Sequence, residues 1–200
     1  MTGWTVIVPI RSWTTGKTRL GGDADVRGTL ARAIALDTVE AIVGCGEVGR
    51  VLVVTPDAEV AADVARLGAV VVPEPSTPSG DPLNAAIDRA AASTVGPVAV
   101  VLGDVPALTA ADLAQVLRGA AAHPSAFVPD AEGTGTVLLA ATSVDVLVPC
   151  FGPGSAVAHA ATGAARLDAP DAVRRDVDTP QDADEARRLG VGPRTAVLLG

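Results

Sequence analysis

Residues Val98 to Leu108 read Val-Ala-Val-Val-Leu-Gly-Asp-Val-Pro-Ala-Leu. Five apolar residues without alternation describe a strand buried on both faces, the central position in an α/β sheet. Gly103 ends the run, and Pro106 cannot join a ladder. Asp104 is therefore delivered to the carboxyl end of a central strand, where open α/β sheets bind ligands. An Asp there can equally cap the helix that starts near Thr109, and the strand alone does not decide.

The remaining chain supplies the layers around that strand. Thr5 to Ile10, Val51 to Thr55 and Val70 to Val72 read as strands. Arg27 to Val43 has helical spacing, with Leu30, Ile34, Thr38 and Ile42 near one face. Asp57 caps a helix that runs to Leu67, and further helices are predicted over Leu83 to Ser93 and Ala110 to Ala122. Later the pattern changes. Ala126 to Val128 and Thr136 to Ala141 are predicted strands joined by a turn-rich linker, and a short helix spans Ala156 to Ala161. Ala172 to Val177 reads as a last strand, and Pro180 opens a final helix ending at Leu189-Gly190. Gly192 to Gly200 has no assignable structure. Alternating β and α, then a β-excursion, then βα predicts one domain over 1–200: a three-layer α/β/α sandwich with a mixed sheet.

The 200 residues carry a net charge of −8, which argues against a nucleic-acid partner. Two Phe, two Trp and no Tyr leave no base-stacking platform. A nucleotide remains compatible, because a divalent metal can bridge carboxylates to phosphates. Cys45 and Cys150 lack metal spacing and read as free thiols of a reducing cytoplasm. The sequence opens on a strand rather than a signal peptide, and its longest uncharged run is broken by Pro and Gly, so no membrane partner is expected. A homodimer is compatible with the sequence but not specified by it.

Four segments could carry chemistry. Arg11 to Leu20 follows the first strand and holds Arg11, Lys17 and Arg19; Lys17 is the sole lysine. Gly16-Lys17-Thr18 looks like the end of a P-loop, but Arg11 stands where that loop needs Gly, so the backbone cradle is doubtful. Three cations can still grip a polyphosphate with their side chains; the bland alternative is a solvated basic loop. In Arg175-Asp176-Val177-Asp178-Thr179-Pro180, an extended chain would put Asp176 and Asp178 on one side. With Asp104 they could hold Mg²⁺, or Asp178 and Thr179 could simply cap the Pro180 helix. Asp81 and Asn84 stand at a loop-to-helix junction, where they could read a guanine edge or cap the helix. Finally, Gly133-Thr-Gly-Thr136 and Phe151-Gly-Pro-Gly-Ser155 are small-residue loops with hydroxyls. The second stands at a helix start, where amides favour an anion; each alone could equally be a plain turn. His123 and His159 lack a nucleophile partner and read as surface or structural.

Taken in order, these segments resemble the guanylyltransferases of coenzyme F(420) biosynthesis, which act on 2-phospho-L-lactate or phosphoenolpyruvate. The resemblance runs from Val6 to about Pro193. It rests on Val8-Pro9-Ile10-Arg11, Lys17-Thr-Arg19-Leu20, Asp81-Pro-Leu-Asn84, Gly103-Asp104-Val-Pro-Ala-Leu108, Gly133-Thr-Gly-Thr136, Phe151-Gly-Pro-Gly-Ser155 and Asp176-Val-Asp178-Thr-Pro180. Arg11 departs from the Lys common in that family, keeping charge but not geometry. The resemblance implies a Rossmann-like fold of the nucleotide-diphospho-sugar transferase type, with GTP and a three-carbon phosphate as substrates. It further implies Arg11, Lys17 and Arg19 on the triphosphate, with Lys17, Arg19 and Asp104 catalytic. Asp81 and Asn84 would read the base, Thr136, Gly152 and Ser155 would hold the acceptor, and Asp104, Asp176 and Asp178 would hold Mg²⁺. A molybdenum-cofactor-type nucleotidyltransferase, a P-loop-like kinase and a non-catalytic nucleotide-binding module are the rival readings.

Overall fold

The computed structural model describes residues 3–10, 20, 23–74 and 80–200. Seven strands form one sheet: β1 (Trp4–Pro9), β2 (Val48–Val54), β3 (Val70–Val72), β4 (Val98–Val101), β5 (Ser125–Pro129), β6 (Thr136–Ala141) and β7 (Ala165–Arg166). Their order is β3-β2-β1-β4-β6-β5-β7. β1 pairs in parallel with β2 and β4, β2 with β3, and β5 with β7. β6 pairs antiparallel with both its neighbours, so it alone is reversed in an otherwise parallel sheet.

The central run behaves as its composition requires. Ala99 and Val101 of β4 face one core cluster and Val98 and Val100 the other, the period-2 alternation of a strand with helices on both sides. The first cluster lies under α1 (Ala24–Val43), α2 (Ala58–Arg66), α4 (Ala110–Ala120) and the single turn α6 (Asp171–Arg174). The second lies under α3 (Pro82–Ala91) and α5 (Ser155–Ala161). The three-layer sandwich expected from the sequence is the fold.

The chain runs outward from β1 through β2 to β3, then crosses the opposite face by α3 to enter β4 on the other side of β1. The order of strands therefore reverses between β1 and β4, and ligand crevices of open α/β sheets form at the carboxyl ends of such a pair. Gly103 keeps those ends close, because a Cβ there would sit 2.9 Å from Ile10 Cγ1.

One expectation is corrected, and the tail, left unassigned by the sequence, is placed. Ala172 to Val177 is not a strand: Asp171–Arg174 forms one helical turn behind Pro170, Arg175 is extended, and 175–177 join no ladder. Val173 and Val177 are its only apolar side chains large enough to anchor it, and their spacing of four fits a helix as well as a strand. The edge beside β5 is taken instead by β7, a two-residue strand with little sequence signal. The tail is also structured. It forms α8 (Pro193–Leu199), whose Leu199 joins Ile34 of α1, with Val177, Ala183 and Ala186, in a third apolar cluster; the last two lie on α7 (Pro180–Leu189). Cys45 and Cys150 are free thiols, and among the described residues no helix is long and apolar enough to cross a membrane.

Candidate functional site

Arg11, Lys17 and Arg19 lie outside the described residues. Their stretch is flanked by Ile10, whose amide extends the β1 pairing to Val54 at 2.9 Å, and by Leu20, which packs in the cluster of Ile34 and Val177. Ile10 thus lies at the β1 end of the crevice, and Leu20 lies in the cluster of Val177, the residue between Asp176 and Asp178.

Asp104 stands half-buried three residues beyond Val101, the last residue of β4. Its backbone carbonyl accepts the Val177 amide at 3.0 Å. This bond joins two segments more than seventy residues apart in sequence. Val177 is fully buried, leaving Asp176 half-buried and Asp178 exposed on either side of it. The loops touch through backbone, and the three carboxylates do not form a ready-made cage: among the described residues no three His, Cys, Asp or Glu groups stand at metal-holding spacing.

The Asp176–Asp178 loop is braced from behind. Asp182 accepts from the Asp178 amide (3.2 Å), the Thr179 amide (2.8 Å) and the Thr179 hydroxyl (2.7 Å), completing a reciprocal capping box at the start of α7. Arg175, mostly buried, donates to Asp182 at 3.3 Å and Glu132 at 2.7 Å and pairs with Glu185 at 2.8 Å. Burial opposes the Arg175 charge, but the hydrogen bond and charge of Glu132, with the charges of Glu185 and Asp182, outweigh it and hold its pKa above the ordinary guanidinium value. Burial likewise opposes the Asp182 charge, yet its hydrogen bonds from Thr179 and Asp178 and the charge of Arg175 keep it below the usual carboxylate range. Thr179-Pro180-Gln181-Asp182 carries the sequence signature of this cap; nothing in the sequence announces the Arg175 cluster.

On the opposite face, Asp81 caps α3. Its Oδ1 accepts from the amides of Leu83 and Asn84 at 3.0 Å each and from Asn84 Nδ2 at 3.1 Å. The capping alternative is therefore realised, and Oδ2 accepts no hydrogen bond among the described residues. Asn84 does something the sequence did not reveal: its Oδ1 accepts the Phe151 amide at 2.8 Å and its Nδ2 donates to the Phe151 carbonyl at 3.0 Å. With both ends engaged, Asn84 ties the α3 start to the loop before α5. Asn84→Ala is expected to cost about 2 kcal/mol of stability, since it strands a half-buried donor and acceptor; a urea midpoint equal to the parent's would contradict this.

Thr136 opens β6, and because Leu102 N donates to Val137 O at 3.0 Å, Thr136 lies beside the end of β4. Its hydroxyl is 2.9 Å from His159 Nδ1, while His159 Nε2 accepts the Cys150 amide at 2.9 Å. His159 is fully buried against Phe127 and Phe151, and burial lowers its pKa to about 4 against a weaker opposing hydrogen bond with Ser155. Of the surface and structural alternatives, the buried position rules out the surface. The expectation of an amide anion cradle at the α5 start is corrected: Ser155 N donates to Gly152 O (3.1 Å), Ala156 N to Thr134 O (3.1 Å), and Val157 and Ala158 N to Gly154 O (3.1 and 3.2 Å). A turn with Gly152 at φ +132° and Gly154 at φ +73° consumes those amides. The Gly152 N–H, by contrast, donates to none of the described residues.

Residues 18–175 match the family of MobA-like NTP transferase domains. The phosphoenolpyruvate guanylyltransferase of Streptomyces coelicolor is 46% identical over 98% of this chain and 95% of that protein. Among solved structures, one described as a nucleotide-diphospho-sugar transferase of Desulfovibrio desulfuricans G20 superposes with a TM-score of 0.74 at 16% identity, covering 99% of this chain and 94% of its own. The manganese complex of Rv0371c from Mycobacterium tuberculosis H37Rv has a TM-score of 0.57 at 21% identity, covering 92% of this chain and 98% of its own.

Proposed function

The chain belongs to the MobA-like NTP transferase family, a family of nucleotidyl-transferring enzymes, and from that premise we propose that it moves GMP from GTP to the phosphate of phosphoenolpyruvate, as a step of coenzyme F(420) biosynthesis. 2-Phospho-L-lactate is the alternative acceptor of the same class. The carrying observation is the Val177-to-Asp104 backbone bond at the β1/β4 crevice, which joins two carboxylate-bearing loops.

The chemistry needs little from the protein but placement and charge. An anionic oxygen of the acceptor phosphate attacks the α-phosphorus of GTP in line. A new P–O bond forms, the bond to the bridging oxygen breaks, and its electron pair leaves with pyrophosphate. No proton moves in this step, so no general base is required. Lys17, Arg19 and Arg11 would hold the triphosphate. Thr136, Ser155 and the Gly152 amide would hold the acceptor phosphate.

The donor set fits Mg²⁺, because carboxylate oxygens are its preferred protein ligands. An ion that takes one or two carboxylates and completes its shell with phosphate oxygens and water requires no three-residue cage. Asp104, with Asp178 and then Asp176, would hold it, and when bound it would supply charge neutralisation at the phosphates.

The base would be read by Asp81. Guanine offers N1–H and N2–H₂ to a carboxylate, and adenine presents a bare acceptor there. A site left with unpaired polar groups rejects the wrong base. The Asp81 Oδ2, outside the helix cap, supports that role, whereas Asn84 is held by the Phe151 backbone and contributes by fixing the loop. The test is pyrophosphate release from purified protein with Mg²⁺, each nucleoside triphosphate and each three-carbon phosphate. GTP with phosphoenolpyruvate is expected to exceed ATP by at least about a hundredfold in kcat/KM. Asp81→Asn, which keeps a good cap, is expected to erode that preference. A nucleoside diphosphate product would overturn the transfer reaction, and equal use of ATP would overturn the base assignment.

A further inference from the structure

We propose that His159 is a positioning residue of the acceptor site: by donating from Nδ1 to Thr136 Oγ1 it reserves the Thr136 hydroxyl hydrogen for a bound anion. The inference rests on the reading of Thr136 as an acceptor-phosphate contact.

Hydrogen-bond polarity decides the matter. The Cys150 backbone N–H can only donate, so His159 Nε2, 2.9 Å away, presents a lone pair. The ring is fully buried between Phe127, at a centroid distance of 6.0 Å, and Phe151, edge-on at 5.0 Å. Burial holds its pKa to about 4, so it is neutral near pH 7 and carries one proton. With Nε2 accepting, that proton is on Nδ1. A hydroxyl cannot donate to an N–H, so Thr136 Oγ1, 2.9 Å from Nδ1, is the acceptor of this contact. Its own hydrogen is used by no described residue. A threonine in this state meets a phosphate oxygen as a donor. If the ring carried its proton on Nε2, the hydroxyl would be spent on Nδ1 instead.

The other end of the ring supports the same site. Cys150 N is held by His159, and the next amide, Phe151 N, by Asn84 Oδ1. Two consecutive amides ahead of Gly152 and Ser155 are thereby fixed by side chains from different helices. A buried imidazole with both nitrogens paired is costly to place where an apolar ring would fill the space, and this geometry uses both nitrogens.

Two substitutions separate the roles. His159→Asn places an amide N–H₂ near the Nδ1 position and keeps a donor toward Thr136. His159→Gln places a carbonyl near the Nε2 position and keeps the bond to Cys150 but not the donor. His159→Gln is expected to raise the acceptor KM by roughly tenfold with the GTP KM within about twofold, and His159→Asn to retain more of the acceptor affinity. In a Thr136→Val background His159→Gln is expected to add no further loss, the signature of a shared interaction. Equal rises in both KM values, or additive losses, would overturn the proposal. If Thr136→Val leaves the acceptor KM unchanged, the acceptor reading itself falls and this proposal with it. If Thr136→Val raises that KM while His159→Gln does not, only the proposal falls. ¹⁵N NMR of the native enzyme decides independently of variant folding: a ring protonated at Nδ1 is expected, and one protonated at Nε2 overturns it.

Discussion

Asp104→Asn is expected to lower kcat/KM for nucleotidyl transfer by at least a hundredfold while leaving the fold intact. The bond that joins the two acidic loops uses the Asp104 backbone carbonyl, which Asn keeps, and the side chain stands half-buried at the rim of the crevice rather than in the core. What the substitution removes is one anionic oxygen where a cation and a triphosphate would meet. Loss of one charged contact in such a site is worth roughly 3–4 kcal/mol, or two to three orders of magnitude in rate. Asp178→Asn is expected to act alike, since its amide, not its carboxylate, completes the Asp182 cap. Asp176→Asn is expected to cost less. Raising Mg²⁺ should recover part of the Asp104→Asn loss if the defect lies in holding the ion. The measurement is initial-rate pyrophosphate release across a Mg²⁺ series, beside a melting curve; full turnover of both Asp104→Asn and Asp178→Asn at ordinary Mg²⁺ would falsify the metal assignment.

The sequence was most informative where one local rule decides the outcome. Five apolar residues ended by Gly103 read as an interior strand, and Val98–Val101 form one. Asp57 announces the helix it caps, accepting from Glu59 and Val60, whereas the helix after β4 is capped by Thr109, accepting from Asp112, and not by Asp104 as the sequence also allowed. At Asp81 two local rules gave two answers, and the cap is present in the structure while the second carboxylate oxygen is left outside it. Reading failed where tertiary partners decide. Ala172 to Val177 has the composition of a strand, but Arg174 reaches the carbonyls of Pro129, Asp130 and Ala131, and those bonds favour a turn beside β5 rather than a ladder. Leu30, Ile34, Thr38 and Ile42 looked like one face of α1. In the fold Ile42 faces the sheet, while Ile34 and Leu30 face α7 and α8. A helix buried on two sides requires a second layer, and that requirement identifies the tail as structure. The Asn84 and His159 clamps had no signal, because each joins a side chain to backbone groups outside its own helix, sixty-seven residues away for Asn84 and nine for His159.

That second layer carries the largest stability effect expected outside the apolar core. Asp37 of α1 is buried, with its side chain 1% exposed. Its Oδ2 accepts the Thr195 amide at 2.7 Å, and its Oδ1 accepts the Arg194 amide at 3.3 Å and the Arg194 guanidinium at 3.0 Å. It thus caps the first turn of α8 from another helix, a carboxylate where a helix start favours negative charge. Gly192 makes the approach feasible, because a Cβ there would lie 2.5 Å from the Asp37 carboxyl carbon. Removing the carboxylate leaves the Thr195 amide without an acceptor in a fully buried site, while Arg194 keeps only the exposed Glu40. Asp37→Ala is therefore expected to cost about 3 kcal/mol, a fall in Tm of roughly 6–12 °C for a chain of this size. Asp37→Asn is expected to be nearly as damaging, since every partner of Asp37 is a donor and the amide would turn N–H₂ toward one of them. The consequence reaches the crevice, because Gly192 N donates to Pro106 O at 2.9 Å, two residues from Asp104. Faster hydrogen exchange is expected at residues 192–200 and then around Pro106 in both variants. An Asp37→Ala protein that melts within a degree of the parent, with unchanged exchange in the tail, would show that α8 is held by its apolar contacts alone.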